Sequence, residues 1–243
     1  MFNNEATIND AMTSVLTQTY PNIEYIVVDG NSTDGTLNII EKVAHRIDHF
    51  ISEPDNGFYD AINKGIQLAT GDIIGIINSD DYLADMDVLS KINEIFENDL
   101  SIEAVYADLI FIDGLNKKKV IRYYSSEKFK PWMFRFGFQP AHPTFYVRSE
   151  LFKKYGLYQT DLKIAGDFEM LLRLMLKHKI RYKYIKDVWV KMRMGGASTS
   201  GFQSTKLLNR EMVHACNVNG VYTNIFLVYF KYLFKWWGFL FKS

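Results

Sequence analysis

Cysteine is almost missing from the 243 residues, with Cys216 standing alone. One thiol excludes an internal disulfide framework and a cysteine-built zinc site, and it fits a reducing compartment. A charge of one sign is missing too. Lys plus Arg and Asp plus Glu each number 28, so the formal net charge is zero. Nucleic-acid binding needs a basic footprint, so no nucleic-acid partner is expected. The opening residues, Met1 to Ala6, have neither the basic nor the apolar region of a signal peptide. In the C-terminal stretch the charge-free residues Gly220 to Phe230 fall well short of the ~20 apolar residues that span a bilayer. Familiar nucleotide motifs are absent as well. There is no G-x-G-x-x-G. Gly30 to Gly35 has P-loop glycine spacing, but Thr36 stands where the lysine belongs. No G-x-S-x-G elbow occurs.

What is there is a globular composition, 48% hydrophobic and 23% charged, long enough for one large domain. Helix and strand signals alternate. Glu5 to Thr19 has helical spacing, and Ile23 to Asp29 is a β-branched strand ending in a carboxylate. A turn-rich loop runs from Gly30 to Gly35, and Thr36 to Arg46 reads as helix. His49 to Ser52 is a short strand, Phe58 to Thr70 a helix, and Asp72 to Asn78 an apolar strand expected to be fully buried. Asp85 to Asn98 reads as helix, and Glu103 to Ile112 with Lys119 to Tyr124 as two strands around a turn at Gly114. Such alternation with continuous apolar strands predicts an α/β fold, a mainly parallel sheet flanked by helices. Ligands in such sheets sit beyond the carboxyl ends of the strands.

Two strands end in acidic loops. Asn78-Ser79-Asp80-Asp81 follows the apolar strand, and adjacent carboxylates there suit a hard cation such as Mg²⁺ or Mn²⁺. The same pair also fits initiation of the helix at Asp85. Asp29 closes the earlier strand, where a carboxylate can accept hydrogen bonds from a base or ribose. Turn chemistry alone also accounts for the loop from Asn31 to Asp34. Gly166-Asp167-Phe168-Glu169 opens a strongly periodic helix, with Asp167 at or near the N-cap, an ordinary place for a carboxylate. His142, between aromatic-rich segments, has no assigned role.

These pieces together resemble family 2 glycosyltransferases, especially bacterial enzymes that build surface polysaccharide or lipopolysaccharide. The resemblance rests on Tyr20 to Thr36, Glu53 to Gly65, Ala69-Thr70-Gly71-Asp72 leading into Asn78 to Asp81, Ile164 to Glu169, and Gly195-Gly196-Ala197-Ser198. It implies a GT-A fold and a metal-dependent, inverting transfer of one sugar from a nucleotide sugar, UDP-linked by analogy. The acceptor it implies is a saccharide, lipid-linked in surface polysaccharide synthesis. By resemblance Asp167 is the catalytic base. Asp80 and Asp81 hold Mn²⁺ or Mg²⁺. Asp29, Asn31, Asp34, Asp60, Lys64, Asn78, Asp80 and Asp108 meet the donor. The processive-synthase pattern Gln-x-x-Arg-Trp is missing, which favours addition of a single sugar. Family members usually open with an apolar strand that sits in the middle of the sheet. Here Met1-Phe2-Asn3-Asn4 stands in its place, so a gap in the sheet is expected, and with it the alternative of a non-catalytic remnant or binding module.

The aromatic content, 15%, collects in two places, Trp132 to Phe138 and the end of the chain. Residues 1–220 are read as the glycosyltransferase domain and 221–243 as an amphipathic helix. On a helical wheel Asn224, Lys231, Lys235 and Lys242 share one sector, opposite Tyr222, Phe226, Tyr229, Leu233, Trp236 and Leu240. That pattern suits a helix lying in a membrane surface. A peripheral position on the cytoplasmic face of the cell membrane is therefore expected.

Overall fold

A computed structural model describes residues 1–114, 116–117, 119–194 and 201–240, with the side chains of Phe202 and of 233–240 left aside. The Gly195 to Ser198 motif lies outside the described residues. In chain order the elements are α1 (Ile8–Leu16), β1 (Ile26–Asp29), α2 (Thr36–Glu41), β2 (His49–Ser52), α3 (Phe58–Leu68), β3 (Ile73–Ile74), β4 (Tyr82–Leu83), α4 (Val88–Asn98), β5 (Ala104–Ile112), β6 (Val120–Tyr124), β7 (Tyr146–Arg148), α5 (Glu150–Tyr155), α6 (Gly166–Leu172), β8 (Tyr182–Arg193), α7 (Phe202–Val218) and α8 (Ile225–Leu240).

The helices follow their apolar stripes. α1 buries Ile8, Ala11, Met12 and Val15, and α4 buries Val88, Ile92 and Phe96, each at the three- and four-residue spacing of one helical face. The strands form a mixed sheet of six, ordered β3-β7-β5-β8-β4 with β6 paired to β5, and a separate parallel pair β1-β2. β5 lies in the middle with β8 parallel on one side and β7 and β6 antiparallel on the other. Neighbours on both edges bury nearly all of its residues. β3-β7 and β4-β8 are also antiparallel, so antiparallel pairs outnumber the parallel β1-β2 and β5-β8. The strand-helix alternation of the first half makes β1 and β2 parallel. Against β5, β6 and β7 run antiparallel while β8 runs with it.

Residues 72–78 do not form one long buried strand. Only Ile73 and Ile74 pair, with Arg148 and Val147, and Ile73, Ile74, Ile76 and Ile77 are half-buried while Gly75 is exposed. The reason is local. β7 covers one edge of this segment, and an apolar cleft of about 630 Å³ separates the other from β1.

α8 covers the far end of the domain. It packs through Val228, fully buried, and Lys231, whose Nζ lies 3.2 Å from Met212 Sδ on α7 and 5.3 Å above the Tyr232 ring. Lys231 therefore faces the domain rather than solvent, a correction to the polar sector drawn on the wheel. Its long stem runs along apolar surface. The aromatic side is outermost, with Phe226 83% exposed and Tyr222, Tyr229 and Phe230 also exposed. The segment from Trp132 to Phe138 divides. Phe134 is fully buried, edge-on to Phe129 and to Phe168 of α6, whereas Trp132 is exposed.

Candidate active site

The loop after β1 is built around Asp29. Its carboxylate is fully buried and accepts from Ser32 N (2.8 Å), Ser32 Oγ (2.5 Å) and Ser52 Oγ (2.8 Å). Asp29, expected to meet the donor, is the post on which its loop is folded. Asn31, exposed, turns the chain at φ 66°, a conformation asparagine tolerates better than most residues. Asp34 accepts from Thr36 N (3.0 Å) and Glu5 N (3.1 Å), and these bonds, the Thr36 hydroxyl foremost, hold its pKa below the usual value.

Residues 3 to 5 were not singled out by sequence, yet they tie the first acidic loop to the second. Asn3 N donates to Ser32 Oγ (2.8 Å) and Asn4 N to Thr36 Oγ1 (2.8 Å), while Ser79 Oγ donates to Asn4 Oδ1 (2.7 Å). Side-chain carbonyls ahead of a helix were a visible capping signal. Partners some 30 to 75 residues away were not. A recess of about 510 Å³ opens between Asn3, Asn4, Glu5 and Asp34.

The loop after β3 carries the adjacent carboxylates. Asp81 is fully buried. Its Oδ2 accepts from Asn78 Nδ2 (2.9 Å), and its Oδ1 is buried with no partner among the described residues. Burial, then the neighbouring Asp80, raises the Asp81 pKa to about 7, against smaller opposing effects of Asn78 and Arg193. Arg193, at the end of β8, donates to the Asp80 carbonyl (2.6 Å), ion-pairs with Asp10 of α1, and lies over the Tyr82 ring at 5.3 Å. It steadies this loop and was not legible, because only the β4-β8 pairing brings it there. Two adjacent carboxylates, one with an orphaned buried oxygen, are a donor set that a hard divalent cation fits. No group of three His, Cys, Asp or Glu side chains able to hold a metal converges among the described residues.

On α3, Asp60 accepts from Asn56 N (2.9 Å). Lys64 pairs with Glu53 (2.8 Å), more loosely with Asp60 (3.6 Å), and donates to the Pro54 carbonyl (3.1 Å). The Glu53 hydrogen bond leads the causes that raise the Lys64 pKa. These two residues brace the segment after β2, whose Asp55 would collide with any side chain at position 30.

The third acidic position lies at the start of α6. Ala165 occupies the N-cap, so Asp167 is inside the first turn rather than capping it. Its Oδ2 accepts from Gln139 Nε2 (2.8 Å), and its Oδ1 from Phe168 N (2.7 Å) and, at 3.4 Å, the Tyr59 hydroxyl, which also donates to the Ile164 carbonyl (2.7 Å). A side chain at Gly166 would stand 2.7 Å from the Tyr59 ring, which explains the glycine. Glu211 of α7 accepts from the backbone of Lys163 (2.9 Å), Ile164 (2.8 Å) and Ala165 (2.9 Å). Glu169 and Arg173 form a buried two-pronged pair at 2.9 and 3.0 Å, and Asn219 donates to the same carboxylate. Gln139, Tyr59 and Glu211 were missed by sequence reading.

Asp108 does not join these groups. Nearly fully buried on β5, it accepts from Tyr123 OH (2.5 Å), Tyr184 OH (2.9 Å) and Ser126 N (2.7 Å). It pins β6 and β8 to β5, with no part of the carboxylate open to a sugar. His142 is buried against the Tyr158 hydroxyl at 2.8 Å, and burial lowers its pKa.

A mixed sheet with acidic loops at two strand ends and a braced carboxylate at a helix start is the GT-A arrangement. The solved structures agree on the fold. S. aureus TarS 1-349 in complex with UDP-GlcNAc is similar at TM-score 0.67 and 20% identity, over 88% of this chain and 64% of that one. A mannosyltransferase from Pyrobaculum calidifontis, in complex with GDP-Man and Mn²⁺, gives 0.63 and 18% over 88% and 60%. The chain belongs to glycosyl transferase family 2, whose model matches residues 1–161. An uncharacterised glycosyltransferase of Rickettsia typhi is 29% identical over 82% of this chain and 64% of its own length. A PGL/p-HBAD biosynthesis glycosyltransferase of Mycobacterium bovis is 24% identical over 84% and 78%. The chain thus spans a little under two thirds of the Rickettsia relative and of both solved chains.

Proposed function

We propose that this chain transfers one sugar, with inversion, from a nucleotide sugar to the hydroxyl of a saccharide acceptor carried on a lipid, as in surface polysaccharide synthesis. The carrying observation is the Asp80-Asp81 pair, with one carboxylate oxygen buried and unpartnered. Such a pair calls for a cation, and a nucleoside diphosphate is the leaving group that would bring phosphate oxygens to share it. Asp80 and Asp81 would hold Mn²⁺ or Mg²⁺, which when bound offsets charge on the departing diphosphate. Asn78 holds Asp81 in place, and Arg193 fixes the Asp80 backbone. The recess beside Asn3 to Glu5 and Asp34 offers the nucleoside polar groups, and Asn31, Asp60 and Lys64 are further groups that would meet the donor. A UDP-linked or GDP-linked donor is in keeping with the solved neighbours.

Asp167 is the base in this reading. It takes the proton from the acceptor hydroxyl as the oxygen attacks the anomeric carbon, the bond to the diphosphate breaks, and one displacement inverts that carbon. Gln139 and Tyr59 hold the carboxylate in one orientation, which is what such a step requires of its base. Residues 1–220 would form the catalytic unit, and the segment from 221 on, with the aromatic helix α8 (Ile225–Leu240), would rest on a membrane surface at its cytoplasmic side. No described helix is long and apolar enough to cross a membrane. The cleft between β1 and β3 favours the second reading, a binding module that holds a donor without turning it over. Nucleotide release from a panel of nucleotide sugars with Mn²⁺ separates the two. Turnover that disappears in Asp80→Ala, Asp81→Ala and Asp167→Asn supports the enzyme, and donor binding with no release from any member of the panel supports the module.

A further inference from the structure

Residues 156–165 join α5 to α6 without helix or strand, and Asp167 follows at once. A connection of that kind moves unless side chains tie it down. Arg173, just after α6, donates to the carbonyls of Gly156 (2.9 Å) and Leu157 (2.7 Å). Asn63 of α3 holds both backbone groups of Tyr158, donating to its carbonyl and accepting from its N–H, each at 2.9 Å. Glu211 of α7 takes the last three N–H groups before α6: Lys163 N on Oε1 (2.9 Å), and Ile164 N (2.8 Å) and Ala165 N (2.9 Å) on Oε2. The Lys163 side chain is exposed, while its N–H turns inward to this carboxylate.

The Glu211 tie is the one that reaches Asp167. The Ile164 carbonyl and the Ala165 N–H belong to one planar peptide unit. Glu211 accepts from its N–H, and the Tyr59 hydroxyl donates to its carbonyl (2.7 Å). The same hydroxyl stands 3.4 Å from Asp167 Oδ1. The peptide is therefore held from both ends, and its carbonyl holds the hydroxyl that faces Asp167. Successive N–H groups turned to one side form a concave site for an anion, and here the chain fills it with its own carboxylate. Both oxygens of Glu211 are committed to backbone donors in a buried place, which leaves it unsuited to take a proton from a substrate. α7 has a second hold on α6, because Asn219 donates to Glu169 at 2.9 Å. A group gripped from a rigid neighbouring element keeps its place better than one on a free loop.

We infer that Glu211 is a positioning residue for the transfer step: through the backbone of residues 163–165 and the Tyr59 hydroxyl it sets where Asp167 stands, without touching donor or acceptor. This role rests on Asp167 being the base. Of Asp167, Glu169 and Glu211, the two glutamates are buried and bound to fixed donors, and Asp167 is the half-buried one. The groups expected to meet the donor lie on other loops, so loss of Glu211 acts on the rate of transfer and not on donor affinity. A displacement of about 1 Å in a reacting group costs on the order of 10²-fold in rate.

The test measures kcat, donor Kd and the melting curve in full chains carrying Glu211→Ala or Glu211→Gln, each alone and together with Asp167→Asn. Glu211→Ala is expected to lower kcat about 100-fold. Glu211→Gln keeps one acceptor oxygen for Ile164 and Ala165 and turns an NH₂ toward Lys163 N, so it should lose only about 10-fold. Donor Kd should stay within about 2-fold in both, since the grip acts on the transition state alone. In the Asp167→Asn chain, with residual nucleotide release followed over hours, neither change should lower the rate further, because residues that act as a unit are not additive. A packing role alone would lower it by the same factor in both backgrounds, and that result overturns the proposal. So does a donor Kd that weakens in step with kcat, or a kcat undiminished in both variants. If Glu211→Ala does not fold, Glu211→Gln, of equal shape, carries the same comparisons, and an undiminished kcat in it alone is then decisive against the role. Undiminished release in Asp167→Asn by itself removes the base reading and this role with it, whereas the other adverse outcomes remove only the role of Glu211.

Discussion

The two acidic regions of the site are held in opposite ways. Around Asp167 the buried charged groups that shape the loop have partners: Glu211 takes three backbone N–H groups, Glu169 takes Arg173 and Asn219, and Asp167 takes Gln139, whose own Oε1 is buried with no partner among the described residues. Around Asp80 and Asp81 it is a carboxylate that is short of partners. One buried Asp81 oxygen has none among the described residues, the Asp81 pKa is raised to about 7, and the strand beneath borders an open cleft. The base side is preorganised, and the donor side is left to be completed by what binds there. Preorganisation suits a group that must meet a hydroxyl at one angle. A site for a cation and a diphosphate gains its order from the ligand's own charge.

The sharpest test of this contrast is at Asp167. Asn keeps the shape and removes the base, so Asp167→Asn should lower kcat by about 10²- to 10⁴-fold with an unchanged melting curve. Unreduced nucleotide release in that variant would remove the base from the preorganised side. Next is stability. Glu169→Ala leaves Arg173 buried and unpaired, which costs about 3–5 kcal/mol and is read by urea unfolding. On the donor side, Asp10→Ala removes the partly exposed partner of Arg193 and should cost about 1 kcal/mol or less. Equal costs would erase the difference between the two sides.

Proton linkage gives a third, smaller effect. The Asp81 pKa is higher in the folded chain than in the unfolded one. Its contribution to stability is thus fully present below about pH 4 and is lost as the pH rises through about 7. Metal-free protein should lose a few kcal/mol from this group across that window. Asp81→Asn should flatten the loss, and Mn²⁺ should offset it above pH 7. A metal-free stability curve that is the same in both chains between pH 5 and 8 would show that Asp81 is not the strained member of the pair.

Much of the fold was legible because its signals are local. The apolar stripes of α1 and α4, the β-branched run of β1 and the acidic ends of two strands all follow from periods of 3.6 and 2. What stayed hidden depends on pairing across the chain. Residues 72–78 read as a buried strand, since composition reports apolarity and not whether a neighbour is there to pair with. Asp29 and Asp108 read as groups that meet the donor, and the serine and tyrosine side chains that donate to them lie too far away in sequence to be seen. Lys231 read as solvent-facing because a wheel separates faces without saying which is turned inward. Gln139, Tyr59 and Arg193 reach the site only through tertiary contacts 28 to 113 residues apart in sequence.

The smallest expected effect concerns how the preorganised side meets its acceptor. Trp132, 58% exposed, packs edge-on against Phe136 at 5.9 Å, and Phe136 lies 6.5 Å from Phe230 of α8. These rings and Phe226 place outward aromatics on two packed elements. The same turn sends Phe134 inward to Phe168, one residue from Asp167. A lipid surface that takes Trp132 and Phe226 would therefore hold its acceptor on the base side of the site and away from the β1-β3 cleft. Burying one aromatic ring contributes about 1.5–3 kcal/mol, so Phe226→Ser should weaken vesicle flotation about 10-fold or more. An exposed position predicts a stability change within about 0.5 kcal/mol. Trp132→Ser should act in the same direction, because the two rings would enter the same surface. Unchanged flotation together with a shift in sedimentation would assign the aromatic face to a second subunit. The acceptor would then reach Asp167 from solution, and the division between a membrane-facing base side and a solvent-facing donor side would fall.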